Sequence, residues 1–212
     1  MAIGLCFDAG DVVFEQGDEL DRLFVITEGM VRLSHLTIDG NRQITGFLGP
    51  GDLMGSIKRS ADAYCTAEAM TRLVLCSFER PRFSDFLQHH PDLCLKLFAV
   101  ATDEIEAQYD HGILLSRKHA AERVAVFLHA LSQRAGQVNG ESPIIDIPMS
   151  RSDIADHLGL TIETVSRVLT RFKQQGMIEF RGPKTVVVKN MAALDELAGF
   201  ENRPKPRMAI GL

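Results

Sequence analysis

Three polar side chains towards the carboxyl-terminal end of the chain have the spacing needed to contact the edges of DNA base pairs. Glu163, Ser166 and Arg167 stand at positions i, i+3 and i+4, which share one face of an α-helix. An arginine can donate two hydrogen bonds to O6 and N7 of guanine, a glutamate can accept one from the cytosine amino group, and a serine can meet a thymine edge. The alternative is a solvated helix face on which Glu163 and Arg167 simply pair. The residues that flank this segment favour base contact.

The flanking residues predict two short helices joined by a tight turn. Ser150 can cap the first helix, with Asp153 completing a capping box, and Gly159 ends it because the turn needs a residue that tolerates positive φ. Thr161 can cap the second helix. The predicted buried faces are Ile154, Ala155 and Leu158 in the first helix and Val165, Val168, Leu169 and Phe172 in the second. Such a pair is a helix-turn-helix, whose second helix lies in the major groove of DNA.

Hydroxyl and basic side chains around these helices predict contacts to the DNA backbone. After the second helix, residues 176–180 and 185–188 indicate a β-hairpin wing with Arg181 and Lys184 at its tip. Contacts to phosphate add salt-dependent affinity without sequence information. A solvated hairpin tip is the alternative for these two basic residues. The predicted backbone contacts are Ser150, Arg151, Thr161, Thr164, Thr170, Arg171, Arg181 and Lys184.

The charge of the chain is distributed unevenly. Between residues 150 and 190, seven lysines and arginines outnumber four aspartates and glutamates, whereas the whole chain has a formal net charge of -5. A basic segment joined to an acidic remainder is typical of a nucleic-acid-binding domain attached to a separate acidic module.

The first part of the chain has the pattern of an antiparallel β-roll. Short β-prone runs separated by regularly spaced glycines are typical of such rolls. Asp39-Gly40 predicts a tight hairpin and Pro50-Gly51 a further corner. We therefore expect a β-roll sensor domain over residues 6–90. The predicted strands lie at residues 12–14, 23–26, 31–33, 44–47 and 73–75.

Residues 91–134 favour helices, since they contain few glycines and no proline after Pro91. Apolar spacing of alternately three and four residues predicts a long helix that forms a dimer seam, followed by a second helix over about 120–134. The stripe could instead pack on the β-roll of its own chain, and Gln108 and Gly112 interrupt its apolar continuity. The predicted seam residues are Phe98, Ala101, Ile105, Gln108, Gly112 and Leu115.

The remaining segments connect or flank these domains. Residues 136–148, rich in Gly, Asn, Ser and Pro, predict the link into a winged helix-turn-helix domain over residues 135–200. The pentapeptide of residues 1–5 recurs at residues 208–212, an improbable coincidence, so we leave it out of the fold prediction. The tail at 201–212 is expected to lie outside the domains.

Several motifs resemble the Crp/Fnr superfamily of bacterial regulators, particularly its Fnr/FixK branch. They are residues 163–167 (ETVSR), 40–47 (GNRQITGF), 51–55 (GDLMG), 114–118 (LLSRK) and 121–123 (AER). The resemblance implies an α+β fold with an antiparallel β-roll similar to cyclic-nucleotide-binding domains, a long dimerisation helix and a winged helix-turn-helix. It also implies a homodimer on a TTGAT-N4-ATCAA-like palindrome, read by Glu163, Ser166 and Arg167. Recruitment of RNA polymerase at promoters linked to low oxygen is implied with it.

The segment corresponding to the phosphate cassette of cyclic-nucleotide-binding members departs from their pattern. Residues 53–57 (LMGSI) lack the acidic residue for a ribose hydroxyl, and Arg59-Ser60-Ala61 follows too soon to form the usual anion clamp. Cyclic AMP binding is therefore not expected. The alternative function is a Crp-like regulator that responds to a small molecule or haem bound in the β-roll.

The cysteines give no metal or disulfide pattern. From the resemblance to oxygen-sensing Fnr proteins, Cys76 lies near the position of their internal cluster ligand and is the candidate redox thiol. One thiolate cannot hold a four-iron cluster, so we expect no cofactor unless an N-terminal cysteine segment precedes this sequence. Cys65 and Cys94 have apolar neighbours and are expected to be buried. His89 and His90 are expected at a helix surface rather than on a metal.

Enzymatic and membrane functions find little support in the sequence. A metal-dependent β-roll enzyme would need a cluster of histidines and a glutamate, and His35 is the one histidine among the predicted strands. No nucleophilic triad order or phosphate-binding loop occurs. No signal peptide or apolar run long enough to cross a membrane is present, so the expected location is the cytoplasm.

Overall fold

A computed structural model of the chain describes residues 2–56, 62–135 and 143–199. These residues fall into two compact units, the first ending at Glu106 and the second beginning at Ala107. The boundary lies inside the longest helix. Each unit has its own arrangement of elements.

Two four-stranded antiparallel sheets build the first unit. Their strand orders are β1-β8-β3-β6 and β2-β7-β4-β5. The strands are β1 (Ile3–Phe7), β2 (Val12–Phe14), β3 (Arg22–Glu28), β4 (Val31–Leu36), β5 (Arg42–Leu48), β6 (Leu53–Gly55), β7 (Thr66–Ala69) and β8 (Leu73–Glu79). All five strands expected from the sequence are present. The predicted β-roll is confirmed.

Alternating side chains from both sheets form one core. Phe24 and Ile26 of β3 are buried in the same cluster as Val31 of β4 and Ala67 of β7. The turn from β3 to β4 depends on Gly29, which has a φ of 88°. A Cβ there would lie 2.2 Å from the carbonyl oxygen of Arg72, so only glycine fits.

The first strand corrects the prediction that left residues 1–5 out of the fold. β1 pairs antiparallel with β8, with Leu5 opposite Leu75 and Phe7 opposite Leu73. Leu5 and Phe7 pack against the core cluster. Their alternation therefore makes this segment an integral strand. The second copy of the repeat, at residues 208–212, lies outside the described residues.

Helices follow the β-roll. α1 (Arg80–Gln88) packs on β8, and α2 (Pro91–Arg117) continues from the first unit into the second. The second unit then contains α3 (Ala120–Ala135), β9 (Ile144–Asp146), α4 (Arg151–Leu158), α5 (Ile162–Gln174), β10 (Ile178–Phe180), β11 (Thr185–Val188) and α6 (Met191–Ala198). The long helix, the helix after it and the winged helix-turn-helix are confirmed, and with them the α+β fold class.

The segment expected to be a link contains a strand. β9 pairs with β11, so that Ile145 lies opposite Val186 and is 1% exposed. The wing is therefore a three-stranded sheet with the order β10-β11-β9. Burial of Ile145 explains why a sequence rich in loop-forming residues still yields a strand here. Residues 136–142 of the predicted link lie outside the described residues.

Candidate nucleic-acid interface

The first helix of the helix-turn-helix begins at the predicted capping box. The backbone amide of Asp153 donates to the Ser150 hydroxyl at 3.0 Å, and the Ser150 amide donates to the Asp153 carboxylate at 2.9 Å. These bonds satisfy amides that the first turn of a helix leaves without partners. At the other end Gly159 adopts a φ of 59° and a ψ of 44°, which ends α4 and turns the chain towards α5.

The second helix presents one apolar and one polar face. Its amino-terminal cap is Thr161, whose hydroxyl accepts from the amide of Thr164 at 3.2 Å. The predicted apolar residues Val165, Val168, Leu169 and Phe172 are all buried, as are Ile154, Ala155 and Leu158 of α4. Burial of one side of α5 against α3 and α4 leaves the other side available to a groove.

The predicted base-contacting residues lie on that available side. Glu163 and Arg167 are exposed, and Ser166 is half-buried. A hydrogen bond from its own backbone amide lowers the pKa of Glu163, with further lowering by the Thr161 hydroxyl and, last, by the charge of Arg167. At neutral pH the carboxylate is therefore ionised, and both of its oxygens can accept hydrogen bonds from base amino groups.

Two of the predicted backbone contacts use their hydroxyl protons within the chain. The Ser150 hydroxyl donates to the Asp153 carboxylate at 2.7 Å, and the Thr170 hydroxyl donates to the carbonyl oxygen of Ser166 at 2.8 Å. A phosphate oxygen is an acceptor, so each hydroxyl would have to give up its internal bond to reach DNA. The hydroxyls of Thr161 and Thr164 share a hydrogen bond at 3.0 Å.

The basic side chains predicted to contact the DNA backbone have fewer contacts within the chain than these hydroxyls. The guanidinium of Arg151 lies 5.3 Å from the centroid of the Phe180 ring, which holds it against the wing, and partial burial lowers its pKa. Arg171, Arg181 and Lys184 are exposed. Arg181 lies 4.0 Å from the Glu179 carboxylate, which competes with phosphate for it. The antiparallel pairing of β10 with β11 confirms the predicted hairpin that carries Arg181 and Lys184 at its turn.

Sequence reasoning missed Ile162, the first residue of α5. Its side chain is 46% exposed although it is large and apolar. It stands beside Glu163 at the end of the helix that would enter the groove, where an apolar group can contact the methyl group of thymine. The sequence did offer a signal for it, because Ile162 is an apolar residue that directly follows the helix cap and lies outside the predicted buried face.

A pair of stacked histidines joins α2 to α4 in the second unit. The rings of His111 in α2 and His157 in α4 have centroids 4.6 Å apart, and Phe127 lies 6.1 Å from His157. Burial lowers the pKa of His111, opposed by a hydrogen bond to the backbone of His157 and assisted by the charge of Arg123. His111 is therefore neutral at physiological pH.

The predicted dimer seam on α2 includes strongly exposed apolar side chains. In the first unit Phe98 is 74% and Ile105 is 55% exposed, and Ala101 is also exposed. In the second unit Gln108 and Gly112 are exposed, whereas Leu115 is half-buried. Leu95 and Tyr109, which were not predicted, are 70% and 72% exposed on the same helix. The helix thus offers an apolar stripe of the type that coiled coils bury.

The cysteines lie in different settings. Gly4 pairs with Cys76 and Cys6 with Val74, so Cys6 and Cys76 occupy diagonal positions on one face of the sheet. Cys65 is half-buried rather than fully buried as expected, and partial burial raises the pKa of its thiol. The expectation that Cys94 is buried is wrong, because it lies on the exposed side of α2, where its thiol contacts the carbonyl oxygen of Leu87 at 3.4 Å. Leu95, one of the apolar neighbours that suggested burial, is itself 70% exposed.

Within residues 2–56, 62–135 and 143–199, no three histidine, cysteine or acidic side chains come together as metal ligands do. His89 and His90 are exposed at the end of α1, as expected, with their Nδ1 atoms 2.9 and 2.8 Å from backbone carbonyl oxygens. Over the same part of the chain, no helix combines the length and apolarity needed to cross a bilayer.

Known proteins resemble this chain over both units. The family profile of the Crp-like helix-turn-helix domain matches residues 122–197, and that of the cyclic nucleotide-binding domain matches residues 5–90. The nitrogen fixation regulation protein FixK of Bradyrhizobium diazoefficiens is 39% identical over 172 residues, covering 81% of this chain and 72% of the relative. The fumarate and nitrate reduction regulatory protein of Escherichia coli is 35% identical over 191 residues, covering 90% and 76%.

A solved structure supports the same relationship. FixK2 from Bradyrhizobium japonicum superposes with a TM-score of 0.84 at 32% identity, covering 93% of this chain and 97% of that chain. These relatives are regulators rather than enzymes.

Proposed function

The chain belongs to the Crp/Fnr family of DNA-binding transcription regulators, and from this we propose that it is a Fnr/FixK-type activator that binds a TTGAT-N4-ATCAA-like palindrome as a homodimer. The observation that carries the proposal is the polar face of α5. Glu163, Ser166 and Arg167 lie together on it while the opposite face is buried. A helix held in this way can enter the major groove with those side chains foremost.

Each of the three side chains suits a different base edge of the proposed half-site. Arg167 can donate two hydrogen bonds to the guanine of TTGAT. Glu163, ionised at neutral pH, can accept from the amino group of the cytosine paired with that guanine or of an adjacent adenine. Ser166 can meet a thymine edge, and Ile162 adds an apolar contact for a thymine methyl group.

Dimerisation supplies a second recognition helix for the second half-site of the DNA. The exposed stripe on α2 would be buried against the same stripe of a second copy, since a twofold axis makes identical surfaces meet. A dimer so formed has two recognition helices related by that axis, which matches the inverted repeat of a palindrome. Backbone contacts from Arg151 and the wing would then add affinity for any duplex.

The proposed role is activation of transcription in the cytoplasm through contact with RNA polymerase, under low-oxygen or redox-linked control. The names of the relatives in Bradyrhizobium diazoefficiens and Escherichia coli, which refer to nitrogen fixation and to fumarate and nitrate reduction, support a link to anaerobic metabolism. Cys76, half-buried beside β1, is the candidate redox thiol.

We include no resident cofactor in the proposal. An iron–sulfur cluster of the four-iron type needs four thiolate ligands. Of the four cysteines, Cys6 and Cys76 lie on adjacent strands, Cys65 lies outside that sheet and Cys94 lies on α2, and none of them takes part in a three-ligand group within the described residues. These ligands do not fit a four-iron cluster.

Selection of bound duplexes from a random pool tests the proposed specificity. Purified protein is mixed with randomised DNA at moderate ionic strength, and the retained sequences are determined after several rounds. We expect an inverted TTGAT repeat with a spacer of four base pairs. Enrichment of an unrelated motif, or of none, would contradict the proposal.

A further inference from the structure

Arg123, in the first turn of α3, donates hydrogen bonds to the ends of two other helices. Its Nε donates to the carbonyl oxygen of Lys118 at 3.0 Å, and its Nη2 donates to that of Leu115 at 2.7 Å. Its Nη1 donates to the carbonyl oxygens of Leu158 at 2.9 Å and Gly159 at 3.3 Å. All five residues belong to the second unit.

The four acceptors are the carbonyl oxygens that helices leave unpaired at their carboxyl-terminal ends. Leu115 and Lys118 stand at the end of α2, and Leu158 and Gly159 stand at the end of α4. Such ends carry partial negative charge, so a cation is favourable there. A guanidinium has five N–H groups in a rigid plane and can serve two helix ends at once, whereas the ammonium of a lysine cannot match that geometry.

The turn between α4 and α5 packs closely on the same group. A Cβ added to Gly159 would lie 3.4 Å from Nη1 of Arg123 and 3.5 Å from Cδ2 of Leu115. The turn therefore contacts the guanidinium and lies next to the last turns of α2. Because α5 begins only three residues after Gly159, its direction depends on how this turn is held.

We propose that Arg123 is a positioning residue that fixes the recognition helix relative to the carboxyl-terminal end of α2, and that it thereby sets the spacing of DNA half-sites that the protein accepts. This inference rests on the proposed function, in which α2 forms the dimer seam and α5 contacts bases. Each base pair added between half-sites moves them apart by about 3.4 Å and rotates them by about 35°. A rigid connection from the seam to α5 tolerates one spacing, and a loose one tolerates several.

The test measures spacer preference and base preference separately. Dissociation constants are determined by fluorescence anisotropy for palindromes with spacers of three, four and five base pairs, and for the four-base-pair palindrome with one base changed in each half-site. The proteins are wild type, Arg123→Gln and Arg123→Lys. Arg134→Gln serves as the matched control, since Arg134 is an exposed arginine at the other end of the same helix.

We expect wild type and Arg134→Gln to prefer the four-base-pair spacer by about 100-fold, the order set by the cost of deforming DNA to correct the spacing. Arg123→Gln should reduce that preference to below about 10-fold while leaving the discrimination between bases within a half-site unchanged. Arg123→Lys, which keeps the charge, should give an intermediate preference. Sedimentation velocity should find every variant dimeric, because the exposed stripe of α2 is untouched.

Two results would overturn the inference. One is full spacer preference in folded Arg123→Gln. The other is an equal loss of affinity of Arg123→Gln for all three spacers, which would mean that Arg123 stabilises the fold without setting the spacing. Should glutamine prevent folding, as judged by thermal unfolding, Arg123→Lys decides the matter, and unchanged spacer preference in that variant refutes the inference. Failure of wild type to prefer any TTGAT palindrome would refute the proposed function instead.

Discussion

Replacing Arg167 with alanine separates base recognition from folding, because the side chain lies on the exposed face of α5. Truncation of an exposed residue away from the core should change the free energy of unfolding by no more than about 0.5 kcal/mol. Each bidentate contact to guanine contributes about 1–3 kcal/mol of discrimination. A homodimer makes the contact twice, so the loss on a full palindrome should be about 2–6 kcal/mol, or roughly 30-fold to 20,000-fold in affinity.

The assay is a pair of anisotropy titrations on the TTGAT palindrome and on a duplex whose guanine–cytosine pair is inverted in both half-sites. Wild type should discriminate strongly between the two duplexes, and Arg167→Ala should bind them nearly alike. Arg167→Lys is the control that keeps the positive charge, and hence the attraction to phosphate, without the bidentate fork. If Arg167→Ala retains the wild-type ratio of affinities, Arg167 does not contact the guanine and the assignment of the recognition face is wrong.

Three further predictions concern the wing, the start of α5 and the histidine stack. Lys184→Ala should weaken binding to all duplexes alike and lower the salt slope by about one for each phosphate that the lysine neutralises, as titrations at several salt concentrations will measure; an effect confined to one sequence would contradict a phosphate contact. Ile162→Ala should cost about 1 kcal/mol per half-site on thymine-containing DNA, and replacing thymine with uracil should weaken wild type but not the variant. Burial lowers the pKa of His111 from its usual value of 6.5, so the unfolded chain binds a proton on this histidine more readily than the folded chain. The folded protein therefore loses stability as the pH falls below 6.5. Denaturant unfolding at several pH values should therefore find wild type losing stability on acidification more steeply than His111→Gln, and equal slopes would refute this.

Local patterns in the sequence were sufficient to predict the helix-turn-helix. The capping box of Ser150 and Asp153 and the left-handed Gly159 involve residues a few positions apart, so their chemistry can be inferred from spacing alone. The apolar face of α5 follows from helical periodicity for the same reason. These features account for most of the candidate site.

Features that depend on distant pairing could not be inferred in this way. β1 exists because Ile3–Phe7 pairs with β8, and β9 exists because Ile144–Asp146 pairs with β11, in each case across a long stretch of chain. The contacts of Arg123 join two helix ends that are far apart in sequence. The exposure of Cys94 reflects the stripe on α2, where apolar neighbours do not imply a buried position.

Specific binding requires that α5 present Glu163, Ser166 and Arg167 to a major groove in each half of a palindrome. The most direct measurement is the dissociation constant of the purified protein for a TTGAT-N4-ATCAA duplex and for a scrambled duplex of the same length and composition, at one moderate ionic strength. We predict binding to the palindrome at least about 1,000-fold tighter, the lower end for specific DNA-binding proteins. Equal affinity for the two duplexes would contradict base reading by α5.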